Sequence, residues 1–252
     1  MTKFKILFTC CFCFFSVNTS IAQSLDLGRG ELPLTIPSTY SENTASPLII
    51  LLHGFGSSGA RQDAYMGFSR LAERYGFIFI APDGTPSSAN QSRFWNATPA
   101  CCDFSNTNVD DVSYVLNIIN EIKSDYNVDS NRVYLIGHSN GGFMSYQAAY
   151  EHSDIIAALV SLAGASHIDE REAPDNPVHV LQIHGSADST ISYEGGQNLS
   201  NPYPGALESV SQWASYNGCV AEGAEREIRD LDSGIPGHES AVLLFAQSCR
   251  AG

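Results

Sequence analysis

Three short stretches of the chain, each directly after an apolar run, carry side chains that could perform acyl-transfer chemistry. The stretch GHSNGG at 137–142 follows the apolar run 133–136 and fits a G-x-S-x-G turn between a strand and a helix. The glycines of such a turn let strand and helix approach closely, and the serine hydroxyl is left exposed above the sheet. Ser139 is therefore the predicted nucleophile.

The other two stretches supply the groups that a serine nucleophile needs. HGFG at 53–56 ends an earlier apolar run, and the backbone N–H groups of Phe55 and Asn140 are the predicted pair that stabilises a developing oxyanion. HGSAD at 184–188 ends a later run and places Asp188 where the acid that orients a catalytic histidine belongs. His53 is predicted to brace its own loop.

The base that should accept the serine proton is the weakest part of the pattern. His238 is the only histidine after Asp188, so it alone fits the chain order Ser…Asp…His. No hydrophobic strand precedes it, because residues 224–237 are charged and turn-like, which favours a surface role. His138 is predicted to pack within the turn. The remaining candidates are predicted to be surface or structural histidines: His152, His167 and His179.

The elements that position these groups alternate between β-branched apolar runs and helical patterns. This alternation predicts an α/β fold with a mainly parallel sheet flanked by helices. The helix over 110–126 has two acids, Asp110 and Asp111, in its first turn, where the helix dipole favours negative charge. A long loop at 84–109 carries Phe94 and Trp95. Strands are predicted at 47–52, 77–81, 132–136, 157–163 and 177–183, and further helices at 140–151 and 205–217.

The start of the chain is predicted to be a signal peptide over residues 1–22. Lys3 and Lys5 precede a short apolar segment, and Ser20-Ile21-Ala22 offers a cleavage site. We expect secretion to an extracellular or periplasmic compartment and a single catalytic domain over 23–252. Removing 1–22 moves the net charge from −14 to −16, which disfavours nucleic acid and anionic membranes as partners. The sequence does not predict the oligomeric state.

Four cysteines remain after residue 22, an even number that suits an oxidising compartment. Pairing of Cys219 with Cys249 is predicted, because it would staple a weakly patterned segment. Cys101 and Cys102 are free, bonded to each other, or divided between partners. No metal site is predicted, since no CxxC or HxxxH spacing accompanies the cysteines.

As an ordered set, these stretches resemble the α/β-hydrolase superfamily, and more narrowly its secreted polyhydroxybutyrate-depolymerase-like and feruloyl-esterase-like serine esterases. The resemblance covers nearly all of 23–252 and implies hydrolysis of carboxylic esters through an acyl-enzyme, without a cofactor. The stretches that carry it are LLHGFG (51–56), APDG (81–84), W…CCDF (95–104), VDDVSYVLNII (109–119), VYLIGHSNGGFMSY (133–146), HGSADSTISYEGG (184–196) and WASYNGC (213–219).

The sequence departs from this family after its last cysteine. The family pattern continues into a final strand and a Gly-His loop that holds the base, whereas this sequence stops at Gly252. The resemblance therefore implies that the last strand and the catalytic histidine lie beyond Gly252, with His238 as the alternative base.

The substrates implied by the resemblance are feruloyl or acetyl esters of plant polysaccharide, or a hydroxyalkanoate polyester. Phe94, Trp95 and Tyr193 are candidates for the wall that contacts the acyl group, and each has core packing as its alternative. Two other functions stay open. One is a non-catalytic binding protein on a hydrolase scaffold, and the other is a serine peptidase, which differs in its leaving group.

Overall fold

The computed structural model describes residues 23–220 and 225–250, so the predicted signal peptide lies outside the described residues. The helices are α1 (Gly59–Met66), α2 (Phe68–Tyr75), α3 (Asp111–Asp125), α4 (Asn140–Glu151) and α5 (Ala206–Tyr216). The strands are β1 (Gln23–Asp26), β2 (Glu31–Thr35), β3 (Ser46–Leu52), β4 (Ile78–Ile80), β5 (Thr85–Pro86), β6 (Arg93–Phe94), β7 (Val128–His138), β8 (Ala158–Leu162), β9 (His179–Ile183), β10 (Gly195–Asn198), β11 (Asn201–Pro204), β12 (Glu225–Arg229) and β13 (Ser240–Leu244).

A seven-stranded sheet with the order β1-β2-β4-β3-β7-β8-β9 forms the centre of the fold. Within this sheet, the five neighbouring strands β4, β3, β7, β8 and β9 are parallel to one another. At one edge, β2 pairs antiparallel with β4, and β1 pairs antiparallel with β2. Side chains of β3 alternate between the two faces: Leu48 and Ile50 pack with α3 and α4, and Leu51 packs with α2. Because helices cover both faces, the inner strands are buried on both sides. The predicted α/β architecture is confirmed.

The predicted strands and helices are all present, with no end shifted by more than four residues. The helix predicted at 110–126 is α3, and Asp110 caps it by accepting a hydrogen bond from the Ser113 N–H at 2.9 Å. Asp111 is buried and pairs with Arg29 at 2.6 Å. Asp111 thus lies in the first turn as predicted, whereas Asp110 is the N-cap residue just before it. The N-terminal hairpin β1–β2 and the helices α1 and α2 were not predicted.

The segment 224–237, predicted to be turn-like, contains β12, so that part of the prediction is wrong. Strand β12 pairs antiparallel with β13 in a two-stranded sheet separate from the central one, and His238 lies in the connection between them. The predicted disulfide between Cys219 and Cys249 is present and joins the end of α5 to the segment after β13. The Val220 N–H donates to the Gln247 carbonyl oxygen at 2.9 Å and reinforces this link.

Strand β9 forms the second edge of the central sheet within the described part of the chain. Its residues alternate between exposed and half-buried, and Leu181 and Ile183 are 52% and 48% exposed. Helix α5 packs against this strand. One end of the sheet is therefore less covered than its centre.

Within the described ranges, no helix combines the length and apolar character that a bilayer crossing requires.

Candidate active site

Ser139 stands between the end of β7 and the start of α4 with φ 52° and ψ −118°. A positive φ is rare for a residue with a side chain and costs free energy unless the surroundings enforce it. The Ser139 N–H donates to the Leu162 carbonyl oxygen at 2.7 Å, which ties the turn to β8. The Ser139 hydroxyl has no hydrogen-bond partner among the described residues. The backbone strain is what the G-x-S-x-G pattern predicts, whereas the residue itself is half-buried rather than exposed.

Close backbone contacts explain the glycines of this turn. A Cβ atom on Gly137 would lie 2.0 Å from the carbonyl oxygen of Gly141, and one on Gly141 would lie 2.2 Å from the carbonyl oxygen of Leu52. No side chain fits at either position. The start of α4 is thereby pressed against both the end of β7 and the end of β3.

The HGFG loop lies directly against the serine. A Cβ atom built on Gly54 would be 3.5 Å from the Cβ of Ser139. The backbone N–H groups of Phe55 and Asn140 donate to no acceptor in the described ranges. Two unpaired donors therefore lie on the two segments next to the serine, and oxyanion stabilisation requires such free donors.

His53 is fully buried beneath this loop and acts as a brace. Its Nδ1 lies 2.8 Å from the Gly54 carbonyl oxygen, and its Nε2 accepts a hydrogen bond from the Gly84 N–H at 2.9 Å. These contacts require a neutral ring with the proton on Nδ1. Burial lowers the pKa of His53 below its usual value, which agrees with the neutral form.

Trp95 is also fully buried, which supports the packing alternative rather than substrate contact. Its backbone is held by the Asn140 side chain: the Trp95 N–H donates to Oδ1 at 2.7 Å, and Nδ2 donates to the Trp95 carbonyl oxygen at 2.9 Å. The same Nδ2 donates to Cys101 Sγ at 3.4 Å. Cys101 and Cys102 are bonded to each other, which resolves the alternatives left open by the sequence. Phe94 is also buried.

Asp188 follows β9 and keeps one carboxylate oxygen available. Its Oδ1 accepts hydrogen bonds from the N–H groups of Thr190 and Ile191 at 2.8 and 3.0 Å. Its Oδ2 lies 3.8 Å from His184 Nε2. That nitrogen donates instead to the Ile191 carbonyl oxygen at 2.7 Å, and His184 Nδ1 accepts from Gln182 at 3.0 Å. Both nitrogens of His184 are therefore occupied, and Asp188 Oδ2 is left to accept from another donor.

His138 precedes Ser139 in the turn and lies within electrostatic range of Asp188. Its Nδ1 lies 3.3 Å from Gln62 Oε1, and its ring packs 6.0 Å from that of Tyr65. Burial lowers the pKa of His138, and the nearby Asp188 carboxylate partly offsets this effect. Asp188 is therefore close enough to the serine turn to influence its electrostatics.

Among residues 23–220 and 225–250, no histidine is hydrogen-bonded to Ser139. His238 is exposed in the β12–β13 connection, with no hydrogen bond or ion pair to Ser139 or Asp188. The described residues thus bring together the serine, the two N–H donors and the acid, and they do not bring a base to them. The role of His238 stays a prediction.

Partly exposed aromatic rings lie on the HGFG loop and next to His138 and His184. Phe55 and Phe104 are 45% and 43% exposed, and their ring centroids lie 5.4 Å apart. Tyr65 is largely exposed beside His138, and Tyr193 is half-buried with its ring edge-on to His184. Neither Phe104 nor Tyr65 was predicted from the sequence to lie at the site. Phe104 ends the CCDF stretch, which was the available signal.

The described residues contain no group of three or more His, Cys, Asp or Glu side chains arranged to hold a metal ion. The arrangement around Ser139 consists of a hydroxyl, backbone donors and a carboxylate, which suits acyl transfer.

Comparison with known proteins agrees with this geometry. The chain is 31% identical over 195 residues to "Feruloyl esterase B" of Piromyces equi, which covers 74% of this chain and 35% of that protein. It is 29% identical to a "Bifunctional acetylxylan esterase/xylanase" of Neocallimastix patriciarum, covering 72% of this chain and 25% of that one. The chain therefore spans about a third or less of these two relatives.

Among solved structures, the "Acetyl xylan esterase from Aspergillus awamori" superposes with a TM-score of 0.61 at 17% identity, covering 90% of this chain and 89% of that one. This similarity shows the shared fold. The sequence profile described as "Phospholipase/Carboxylesterase" matches residues 38–236, which include the serine turn, the HGFG loop and Asp188. This match extends over most of the sequence, and the chain belongs to that family of α/β-hydrolases.

Proposed function

We propose that this protein is a secreted serine esterase that hydrolyses carboxylic esters through an acyl-enzyme on Ser139. The observation that carries the proposal is the strained serine turn, whose hydroxyl is unpartnered and flanked by the free N–H groups of Phe55 and Asn140. A residue with a side chain is held at positive φ only where the surroundings enforce it, and such strain is common at active sites.

In the proposed reaction, the Ser139 oxygen attacks the ester carbonyl carbon while a histidine takes the serine proton. The carbonyl oxygen becomes an oxyanion, which the Phe55 and Asn140 N–H groups bind. The tetrahedral intermediate collapses, the alcohol leaves with the proton from the histidine, and the acyl group stays on Ser139. Water then repeats the sequence and releases the acid. Asp188 Oδ2 orients the histidine and stabilises its charged form.

The histidine is the component that the described contacts do not supply. Asp188 has one free oxygen and Ser139 a free hydroxyl, so an imidazole placed between them would complete the set. His238 is one candidate, and a histidine beyond Gly252, which the family resemblance implies, is the alternative. External imidazole tests the gap directly, because it can act as a base at an open site.

Aromatic esters are the proposed substrates with the most support from the structure. The exposed Phe55 ring belongs to the loop that contacts Ser139 and lies 5.4 Å from the exposed Phe104 ring, and the pair can stack against a phenolic acyl group. The named relatives are feruloyl and acetylxylan esterases, which supports feruloyl or acetyl esters of plant polysaccharide over a hydroxyalkanoate polyester. Two disulfides and the signal-like start support secretion.

The test is hydrolysis of p-nitrophenyl acetate and methyl ferulate by residues 23–252, with and without imidazole. We expect Ser139→Ala to abolish hydrolysis, both intrinsic and imidazole-stimulated. Ser130→Ala is the control, because Ser130 is exposed near the other end of β7. Loss of activity in His238→Ala, restored by imidazole, would identify His238 as the base.

Hydrolysis that persists in Ser139→Ala would contradict the proposed nucleophile. Absence of hydrolysis in the parent protein, even with imidazole, together with no labelling by a fluorophosphonate, would favour the non-catalytic binding protein. An anilide cleaved as fast as the matching ester would favour the peptidase alternative.

A further inference from the structure

The two candidate oxyanion donors belong to separate parts of the chain, and Trp95 is hydrogen-bonded to both parts. The Phe55 N–H lies on the loop after β3, whereas the Asn140 N–H lies at the start of α4. The Trp95 indole N–H donates to the His53 carbonyl oxygen at 3.0 Å, two residues before Phe55. The Trp95 backbone binds the side chain of Asn140. One buried residue therefore connects the two halves of the candidate oxyanion hole.

The contact with Asn140 is geometrically specific. The carboxamide uses its oxygen and its nitrogen on the N–H and C=O groups of the same residue, at 2.7 and 2.9 Å. Asn140 and Trp95 are both fully buried, so these hydrogen bonds do not exchange with water. The backbone of Asn140, including its free N–H, is thereby held at a fixed position relative to Trp95.

The Cys101–Cys102 disulfide contacts both Asn140 and Trp95. Cys101 Sγ accepts from Asn140 Nδ2 at 3.4 Å, and the Cys102 N–H donates to the Trp95 carbonyl oxygen at 3.1 Å. Both cysteines are buried. The Asn198 side chain donates to the Ala100 carbonyl oxygen at 3.1 Å and anchors the loop from outside. The disulfide is therefore bound to both partners of the clamp.

The side towards Phe55 is braced as well. The rings of His53 and Trp95 lie 5.2 Å apart, and the His53 ring contacts the Gly54 carbonyl oxygen and the Gly84 N–H. Movement of the indole would therefore disturb the peptide that leads into Phe55.

We infer that Trp95, the Asn140 side chain and the Cys101–Cys102 disulfide, here called the Trp95 cluster, form a positioning unit that sets the spacing between the Phe55 and Asn140 N–H donors. The inference rests on the proposed esterase mechanism. None of these side chains touches the reacting atoms, so they are positioning residues. Their contribution is realised in the transition state, when charge develops on the carbonyl oxygen.

The chain offers a matched control for each part of the Trp95 cluster. Trp213 is the second tryptophan and is also fully buried, and its indole N–H donates to Ser166 Oγ at 3.1 Å. Asn217 clamps the backbone of Val178 through both carboxamide atoms, at 3.0 and 2.7 Å. Cys219–Cys249 is the second disulfide. The same chemistry is thus present at a second place, with no contact to Phe55 or Asn140.

The experiment compares Trp95→Phe, Asn140→Ala and Cys101→Ser/Cys102→Ser with Trp213→Phe, Asn217→Ala and Cys219→Ser/Cys249→Ser. Asn140→Ala keeps the backbone N–H and removes only the clamp. In the first three we expect kcat for p-nitrophenyl acetate to fall about tenfold to a hundredfold with KM within about twofold, because the misplaced donors act on the transition state. In the second three we expect kcat per folded molecule to change less than about twofold.

A thionoester substrate separates positioning from general damage. Sulfur is a larger and weaker acceptor, so the oxoester-to-thionoester rate ratio reports how well the two donors fit an oxygen. We expect this ratio to fall in the Trp95 cluster variants and to stay unchanged in the controls. Unchanged kcat and an unchanged ratio in Trp95→Phe and in the Cys101/Cys102 variant would overturn the inference. Trp95→Phe keeps an aromatic ring in the core. If Asn140→Ala does not fold, kcat and the rate ratio of Trp95→Phe therefore test the inference.

A measurement without substrate keeps this inference separate from the proposed function. In amide NMR spectra, we expect Cys101→Ser/Cys102→Ser to shift both the Asn140 and the Phe55 resonances, and Cys219→Ser/Cys249→Ser to shift neither. Failure of esterase activity together with these shifts would refute the function and leave the coupling intact. A Phe55 resonance that does not move would refute the coupling.

Discussion

The Trp95 cluster and its counterpart around Trp213 use the same chemistry at two separate places in the core. The second, here called the Trp213 cluster, consists of Trp213, Asn217 and the Cys219–Cys249 disulfide. Each cluster has a buried indole that donates a hydrogen bond, a carboxamide that clamps a backbone, and a disulfide. The Trp95 cluster joins the loop after β3 to the start of α4, whereas the Trp213 cluster joins the end of α5 to the residue before β9. We therefore expect position, and not the type of interaction, to separate a contribution to catalysis from a contribution to stability alone.

The largest effect is expected on stability and should be equal in the two clusters. Trp95→Ala and Trp213→Ala each remove a fully buried indole, and we expect each to lower the free energy of unfolding by about 3–5 kcal/mol. Urea unfolding followed by circular dichroism measures both. A difference larger than about 2 kcal/mol between them would break the equivalence on which the comparison depends.

The two disulfides are expected to reverse their order between stability and activity. Cys219 and Cys249 are 30 residues apart, so their bond should contribute about 3–4 kcal/mol by restricting the unfolded chain. Cys101 and Cys102 are adjacent and close no chain loop, so Cys101→Ser/Cys102→Ser should cost little by this route. Unfolding midpoints and kcat of the two double variants test the reversal. If each double variant lost stability and kcat to the same relative extent, the predicted reversal would be contradicted.

Acid should weaken the Trp95 cluster through His53. Burial lowers the pKa of His53 below 6.5, so the unfolded chain binds a proton as the pH falls through 6.5 while the folded protein does not. Stability is therefore complete above pH 6.5 and declines from there towards the lower folded-state pKa. His138 and His167 titrate in the same direction, so the measured quantity is the difference between the parent and His53→Gln. We expect unfolding midpoints at pH 7.5 and 5.5 to differ less in His53→Gln.

Each tryptophan reports on its own cluster during this titration. The protein has two tryptophans, so Trp213→Phe leaves the Trp95 signal and Trp95→Phe leaves the Trp213 signal. We expect the Trp95 fluorescence to change at a higher pH than that of Trp213. A simultaneous change would show that the two clusters unfold as one unit.

The smallest effect is expected at the aromatic pair outside both clusters. Phe104→Ala should raise KM for methyl ferulate about threefold to tenfold through loss of a ring contact, and leave KM for p-nitrophenyl acetate unchanged. We thus expect Phe104 to affect KM for aromatic esters and the Trp95 cluster to affect kcat for all esters. Equal effects of Phe104→Ala on both substrates would argue against its role in acyl recognition.

The sequence was sufficient to predict the centre of the sheet and the serine turn. Buried parallel strands such as β3 appear in the sequence as continuous apolar runs. The glycines at 137 and 141 mark the close contact between the end of β7 and the start of α4, and this motif is only five residues long, so it can be recognised locally. The polar strand β12 was missed because its five residues, with the charged Arg226 and Arg229 among them, gain strand structure only by pairing with β13. Strand β12 has no continuous apolar run that would mark it in the sequence.

The roles of Trp95 and Asn140 could not be predicted for a different reason. Their hydrogen bonds join residues 45 positions apart, so nothing local distinguishes a clamping asparagine from a solvent-exposed one. The aromatic character of Trp95 suggested substrate contact and core packing equally well. Only the burial of the ring and the direction of its N–H separate the two.

The edge strand β9 also has a consequence for how the protein behaves at high concentration. Its outer side offers unpaired backbone groups within the described part of the chain, and Leu181 and Ile183 are about half exposed beside them. Such an edge is a template for strand addition between molecules, which leads to aggregation. The formal net charge of −14 opposes this by mutual repulsion. Solubility is therefore expected to fall as salt screens that charge or as the pH approaches the sequence pI of 4.7.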